Sequence, residues 1–298
     1  GDMDIVSASV SDDTIAWYEN DGNSDPTWTA ASISVGSADA PYDVFVADMD
    51  GDGDMDIVSS SQLDDTIAWY ENDGNADPTW TAADIAITAD SPRNVFVEDM
   101  DGDGDMDILS VSIDDNTVAW YENDGNADPS WTASDITTSA DSPYDVSAAD
   151  MDGDGDMDIV SGSFGDGTIA WYENDGNADP TWTAADIGSE SDSVIDIFVA
   201  DIDGDGDMDI VSTPANEANI IWYENDGNAN PSWTVHYIST GATYPRSTSV
   251  ADLDGDGDMD LAHTGVYLDG SYTRSNITWF ENGGTRSSTA HWSISPSL

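Results

Sequence analysis

An all-β fold, a β-propeller of four-stranded repeats, is what this sequence predicts, and three observations carry the prediction. One unit of about 51 residues recurs six times. Each unit holds four short strand-like segments and no sustained helical period. Those segments are apolar on both faces, so each sheet needs a cover on either side. Stacked four-stranded sheets, each sandwiched between its neighbours, describe propeller blades; an open solenoid of the same units is the alternative architecture.

The period is read from fixed landmarks. GDMD begins at Gly1, Gly53, Gly104, Gly155, Gly206 and Gly257, a spacing of 52 once and 51 four times. WYEN follows at Trp17, Trp69, Trp120, Trp171 and Trp222, with WFEN at Trp279. A second tryptophan closes each unit, at Trp28, Trp80, Trp131, Trp182, Trp233 and Trp292, and these positions account for all 12 tryptophans. The chain therefore reads as one domain of six units, approximately 1–41, 42–92, 93–143, 144–194, 195–245 and 246–298. The first unit lacks a first strand and the front of its acidic loop. A six-bladed or a seven-bladed ring is expected, with the missing strand supplied from upstream of Gly1, from another chain, or not at all.

Within a unit the elements follow in order. DVFVAD (Asp43 to Asp48) is β-branched and aromatic and runs into the acidic loop. MDIVSSS (Met55 to Ser61) leaves the loop, and a polar turn around Asp64 and Asp65 follows. TIAWYEN (Thr66 to Asn72) ends at Asn72-Asp73-Gly74, a tight-turn signal because these residues tolerate positive φ. The fourth strand, TWTAADI (Thr79 to Ile85), comes after Pro78. On the third strand Ile67 and Trp69 point one way, and Ala68 and Tyr70 the other.

Composition narrows the partners. The chain has 298 residues, 38% of them hydrophobic, enough to build a substantial core. Against 63 acidic residues stand 4 arginines and no lysine, a formal charge of −59. Nucleic acid and anionic membrane surfaces are excluded as partners, because both require cationic side chains to displace counterions. Such charge needs bound cations or screening to tolerate compaction. There is no cysteine, and no run is long enough to span a membrane, so direct membrane insertion is not expected.

DMDGDGDMD, Asp48 to Asp56, concentrates that charge. Hard divalent cations take oxygen ligands, and Ca²⁺ takes six to eight of them at about 2.3–2.6 Å. Alternating aspartates in a tight loop meet the demand: side chains at positions 1, 3, 5 and 9, and the backbone carbonyl at position 7. Gly53 supplies the sharp turn. The expected ligand sets are Asp48, Asp50, Asp52, Asp54 and Asp56; Asp99, Asp101, Asp103, Asp105 and Asp107; Asp150, Asp152, Asp154, Asp156 and Asp158; Asp201, Asp203, Asp205, Asp207 and Asp209; and Asp252, Asp254, Asp256, Asp258 and Asp260. About five calcium ions follow, one per complete loop. The first unit keeps only Asp2 and Asp4, and no sixth site is assigned. Magnesium suits the loop less, since it holds its waters and demands a stricter octahedron.

The loop with its apolar strand, DMDGDGDMDIVSSS, and the downstream IAWYENDG resemble FG-GAP/VCBS-type repeats, found in integrin α-subunit propellers and in microbial and algal surface proteins. The resemblance spans essentially the whole chain. It implies a β-propeller with calcium in the hairpin between the first two strands of a blade, at the extracellular or cell-surface location of such proteins. Two departures stand out: Phe-Gly occurs at Phe164-Gly165 alone, and no Gly-Ala-Pro follows the loops.

Other residues read as structural. Trp69 and its equivalents belong to the core between blades, while Trp80 and its equivalents sit where exposure and stacking on a sugar ring become possible. Glu71 recurs in every unit, which favours a structural hydrogen bond over a unique catalytic acid. His236, His263 and His291 share no repeat position, so no acid–base constellation is assembled. In the last unit six residues are added before WFEN, giving TGVYLDGSYTRSN (Thr264 to Asn276). The expected function is a calcium-stabilised adhesion, assembly or scaffold module without catalytic activity, whose partners are other proteins or copies of itself. A glycan-binding, lectin-like propeller is the alternative, and a polysaccharide lyase-type enzyme is a third reading.

Overall fold

The computed structural model describes residues 3–34, 38–189, 193–215, 219–239, 244–269, 272–282 and 292–294. Each repeat forms one antiparallel sheet whose strands lie side by side in chain order. The first contains β1 (Ile5–Ser9), β2 (Thr14–Asn20) and β3 (Trp28–Ser32). The second has β4 (Pro41–Ala47), β5 (Asp56–Ser61), β6 (Thr66–Asn72) and β7 (Trp80–Ala86). The third has β8 (Pro92–Glu98), β9 (Asp107–Ser112), β10 (Thr117–Asn123) and β11 (Trp131–Thr137). The fourth has β12 (Pro143–Ala149), β13 (Asp158–Ser163), β14 (Ile169–Asn174) and β15 (Trp182–Gly188). The fifth has β16 (Val194–Ala200), β17 (Asp209–Pro214), β18 (Asn219–Asn225) and β19 (Trp233–Ser239). The last has β20 (Tyr244–Ala251), β21 (Asp260–Asp269), β22 (Tyr272–Asn282) and β23 (Trp292–Ile294). No helix is found among the described residues, and the fold is a six-bladed β-propeller. The structure divides into two compact units, residues 1–142 and 143–298.

The expected strands lie within a residue or two of the observed ones. Val46 stands opposite Ile57 and Ala47 opposite Asp56, which makes the acidic nonapeptide the hairpin loop between β4 and β5. Asn72 stands opposite Trp80, closing the second hairpin. At that turn Asp73 accepts from the amides of Asn75 and Thr79 and from the Thr79 hydroxyl at 2.5 Å. These bonds, the Thr79 hydroxyl first, hold the exposed Asp73 carboxyl well below its usual range. In the last blade the β21–β22 ladder runs on to Asp269 opposite Tyr272, and the six added residues lengthen this hairpin. Its tip, residues 270–271, and the side chain of Asn276 lie outside the description.

Both faces of each central strand are buried, as their apolar sequence requires. Ile67, Ala68, Trp69 and Tyr70 are all at most 4% exposed. In the first unit, Ile67 and Trp69 join Val95, Val97, Ile108 and Tyr121 of the third blade. Ala68 and Tyr70, on the opposite face, pack with Ile15 and Ala38 of the first repeat. In the second unit, Ile169 and Trp171 meet Ile210, Ile221 and Tyr223, and Ile220 and Trp222 meet Leu261 and Phe280. Burial of this size dominates the stability of each interface.

Polar links set the register of neighbouring blades. Asp43 Oδ2 accepts from Val95 N at 3.1 Å and Asn94 Nδ2 at 2.9 Å. In the second unit Asp145 accepts from Ile197 N at 2.6 Å and Asp196 from Thr248 N at 2.7 Å. The third-strand asparagine also reaches back: Asn123 Nδ2 donates to Met49 O at 2.9 Å and to Met106 O at 3.0 Å. Asn225 bridges Met151 O and Met208 O in the same way.

Burial pushes Asp43 up to about 6, against the lowering effect of the Val95 and Val44 amides. A carboxyl whose folded pKa is raised from 3.8 stabilises the fold most while protonated, and that stability is lost as pH rises through about 6. Asn94 fills the equivalent position of the third blade, so an amide fits there. Asp43→Asn is expected to stabilise the protein by up to about 3 kcal/mol at about pH 7.5. The advantage should vanish toward about pH 4, as read from denaturant midpoints of both proteins across that range. Asn123→Asp faces two carbonyls with an acceptor and should cost about 2–3 kcal/mol in the same assay.

Candidate metal centre

The acidic loop is shaped by its own backbone. Gly51 and Gly53 take φ of +71° and +97°, values repeated in all complete loops, and the chain curls so that amides face carboxylates. Gly53 N donates to Asp48 Oδ2 at 3.0 Å, Asp52 N to Asp50 Oδ1 at 3.1 Å, and Asp54 N to Asp52 Oδ1 at 2.9 Å. The last two bonds follow from the D-x-D spacing, because an aspartate readily accepts from the amide two residues on, while the first spans five residues and closes the curl.

The curl brings three carboxylates together. Asp48, Asp50 and Asp56 each place an oxygen within 4.8 Å of the others. So do Asp99, Asp101 and Asp107; Asp150, Asp152 and Asp158; and Asp252, Asp254 and Asp260. In the fifth blade the grouped residues are Asp201, Asp203 and Asp205. Elsewhere the fifth position, as in Asp52, Asp103, Asp154 and Asp256, lies outside the trio; in all five loops, Asp205 included, it accepts from the amide two residues on. That bond uses one oxygen of the carboxylate.

Asp54 has a separate task. A Cβ built on Gly74 would collide with Asp54 Oδ2, and the same holds for Gly125 with Asp105, Gly176 with Asp156 and Gly227 with Asp207. The seventh-position carboxylate therefore lies on the bare Cα of the next turn. Glycine is needed there for its φ of +68° and for the close approach.

The last aspartate is the most deeply set. Asp56, Asp107, Asp158, Asp209 and Asp260 are at most 1% exposed. Asp56 Oδ2 accepts from Met49 N at 3.1 Å and Oδ1 from Asn72 N at 2.8 Å. The Trp69 indole lies beside it and also favours the charged form. In the first repeat that bond is well formed, from Trp17 Nε1 to Asp4 Oδ2 at 3.1 Å. Burial outweighs these donors, pushing Asp56 and Asp158 up to about 6 and Asp107 and Asp209 to about 7. Burial and the charges of Asp52 and Asp48 also raise Asp50.

The donor set suits a hard divalent cation. Three carboxylates converge, and Asp48 Oδ1 is buried without a hydrogen-bond partner. Among the described residues the salt bridge present is His236–Glu224 at 2.6 Å. Two contributors are not apparent in the loop motif. Glu122, Glu173 and Glu224 of the WYEN segments add negative charge near Asp101, Asp152 and Asp203. Asn72 ties the loop base to the third strand. The neighbouring Trp-Tyr-Glu-Asn pattern held that information only once strands two and three were known to pair.

The second tryptophans are half-buried at Trp80, Trp131, Trp182 and Trp233, and Trp28 is 43% exposed. Each opens the outermost strand of its blade, and the equivalent Trp292 side chain lies outside the description. Asp2 and His291 also fall outside it.

The FG-GAP-like repeat model matches residues 1–59, 50–110, 99–161, 158–212 and 201–263. No curated protein matches the sequence. Similar solved structures include an Agrocybe aegerita lectin recognising non-reducing terminal N-acetylglucosamine, 16% identical, with a TM-score of 0.57 over 92% of this chain and 79% of that one. An Aleuria aurantia lectin in complex with Fucα1-6GlcNAc is 14% identical, with a TM-score of 0.54 over 97% and 89%. A luciferin-regenerating enzyme is 13% identical, with a TM-score of 0.55 over 88% and 80%. At these identities the likeness is one of fold.

The two ends of the trio should respond oppositely in chelator. Asp50→Asn removes a partly exposed like charge and should raise the thermal midpoint. Asp56→Ala unties Met49 and Asn72 and should cost about 2–4 kcal/mol. Melts of the chelated variants check both signs.

Proposed function

Because the chain belongs to the FG-GAP-like repeat family, we propose that it is a calcium-stabilised β-propeller whose equivalent blades bind glycans multivalently outside the cell. The observation that carries the reading is the recurrence, from blade to blade, of a partly exposed tryptophan at the start of the outermost strand, 43% exposed at Trp28 and resting on the core at Trp80, Trp131 and Trp233. An indole presented in this way offers an apolar face for a sugar ring, while neighbouring carboxylates and asparagines offer acceptors and donors for hydroxyls. The two lectins of the same fold support it as relatives in architecture.

Calcium has a structural part in this reading. Asp48, Asp50, Asp52 and Asp56, with the Asp54 carbonyl, would hold one ion, and the other four loops would do likewise. The ion supplies positive charge where three carboxylates otherwise repel one another, and so fixes the hairpin between the first two strands. Extracellular calcium is abundant enough to keep such loops filled, which supports the location. The carboxylates recur in five blades, so the reading assigns no catalytic role.

The net charge of −59 favours a second reading, adhesion or assembly between copies bridged by divalent cations. Sedimentation in calcium and in chelator tests it, and a monomer in both removes it.

A glycan array tests the main reading. Binding should fall about 3–10-fold for each ring stack lost, so the triple variant Trp80→Ala, Trp131→Ala, Trp182→Ala should lose most of its avidity. An array without hits rejects the glycan reading. Thermal melts address the metal: calcium should give the highest midpoint, magnesium a lower one and chelator the lowest. Asp50→Asn should lower the midpoint in calcium.

A further inference from the structure

We propose that two copies of this chain associate edge to edge through β19, the outermost strand of the fifth blade, paired antiparallel about a two-fold axis at His236. Among the described residues β7, β11, β15 and β19 each have a single strand neighbour, which leaves one row of backbone donors and acceptors unpaired. Such an edge accepts a further strand unless charge or a bulge guards it. In the second, third and fourth blades both guards are present. β7, β11 and β15 carry the exposed Asp84, Asp135 and Asp186. Their pairing with the third strand is also broken by register shifts, at Ile67/Ala68, Val118/Ala119 and Ile169/Ala170.

β19 has neither guard. Its sequence, WTVHYIS, holds no acidic residue. It pairs with β18 without a shift, from Asn219 opposite Ser239 to Asn225 opposite Trp233. Tyr237 stands where β7, β11 and β15 have aspartate, and it is 54% exposed. Val235 and Trp233, which share its face at a spacing of two, rest on the core. A regular, uncharged strand of β-branched and aromatic residues is the kind that recruits another. β3 also lacks an acidic residue, but it has five residues, is exposed throughout, and beyond Trp28 offers a partner threonine, alanine and serine.

Pattern and charge both select a second copy as the occupant. Centred on His236, an antiparallel pair sets Tyr237 of each copy opposite Val235 of the other, so one aromatic and β-branched contact is made twice. The same pairing of β7, centred on Ala83, would instead set two Asp84 carboxylates diagonally on one face. With −59 on each chain, copies repel one another along most of their surface. Of these four edges, β19 is the one that brings no carboxylate of its own to the contact. The imidazoles that meet on the axis are each held on their own blade. His236 stacks on Trp222 with ring centroids 4.3 Å apart, and its Nε2 lies 2.6 Å from Glu224 Oε2. This association needs no divalent cation between the copies and is independent of the glycan reading.

Sedimentation of the whole chain in calcium-containing buffer at about 1 M NaCl, where the Debye length is about 3 Å, provides the test. The chain should pass from monomer to dimer as its concentration rises from about 1 to about 100 μM. Over the same range, hydrogen exchange should slow by about tenfold at the β19 amides that do not bond β18, and stay unchanged along β7, β11 and β15. Tyr237→Asp restores the aspartate of the other blades at an exposed position; it should leave the melt unchanged and remain monomeric. Tyr237→Phe keeps the ring and should still dimerise. An unmodified chain that stays monomeric, or slowed exchange at another edge in place of β19, would overturn the proposal. A dimer that survives Tyr237→Asp would overturn it equally and give the association to cation bridging.

Discussion

A carboxylate buried at the base of each acidic hairpin holds three pieces of chain at once. Asp56 takes the amide of Met49 from the start of the loop, the amide of Asn72 from the end of the third strand, and the flank of the Trp69 indole. Strand pairing, loop curl and core packing therefore meet at one side chain. Its burial carries an electrostatic cost, reflected in the raised pKa, and among the described residues no ion pair offsets it. The same position faces two further aspartates of the loop. A divalent cation, as proposed above, would satisfy all three without giving up the backbone bonds.

From that anchor the blade-to-blade order follows. The loop carbonyl at Met49 is taken by Asn123 of the next blade, and the Met49 side chain joins the cluster around Val97 and Tyr121. A loop held by Asp56 thus presents both a polar and an apolar contact to its neighbour. Asp43 adds a third link through Val95 and Asn94. Each sheet is stabilised chiefly by its neighbours, because its two apolar faces have no other cover.

Much of this was legible in the letters. Four strands per repeat, the hairpin position of the acidic loop, the two-faced burial of Ile67 to Tyr70 and the tight turn at Asn72-Asp73-Gly74 all follow from local pattern. Period-two apolarity, β-branched content and Asn-Asp-Gly chemistry act over a few residues. The choice among the aspartates was less accessible. Position 5 was grouped with positions 1, 3 and 9; in all five loops Asp52 and its equivalents accept from the amide two residues on, and Asp205 also joins the trio of its loop. The packing of Asp54 on Gly74 could not be read at all, because the two residues meet only when separate hairpins fold together.

The division has a simple physical origin. The sequence carried the repeat length, the strand order and the residue types able to ligate a cation, because each is written in short-range spacing and composition. Folding selected which oxygens converge, which aspartate is buried and which tryptophan faces are left partly open. It also set the pairing of Asn123 with Met49 across 74 residues. These features depend on distances between strands of different hairpins and different blades, and such distances exist only after packing has fixed the sheets against one another.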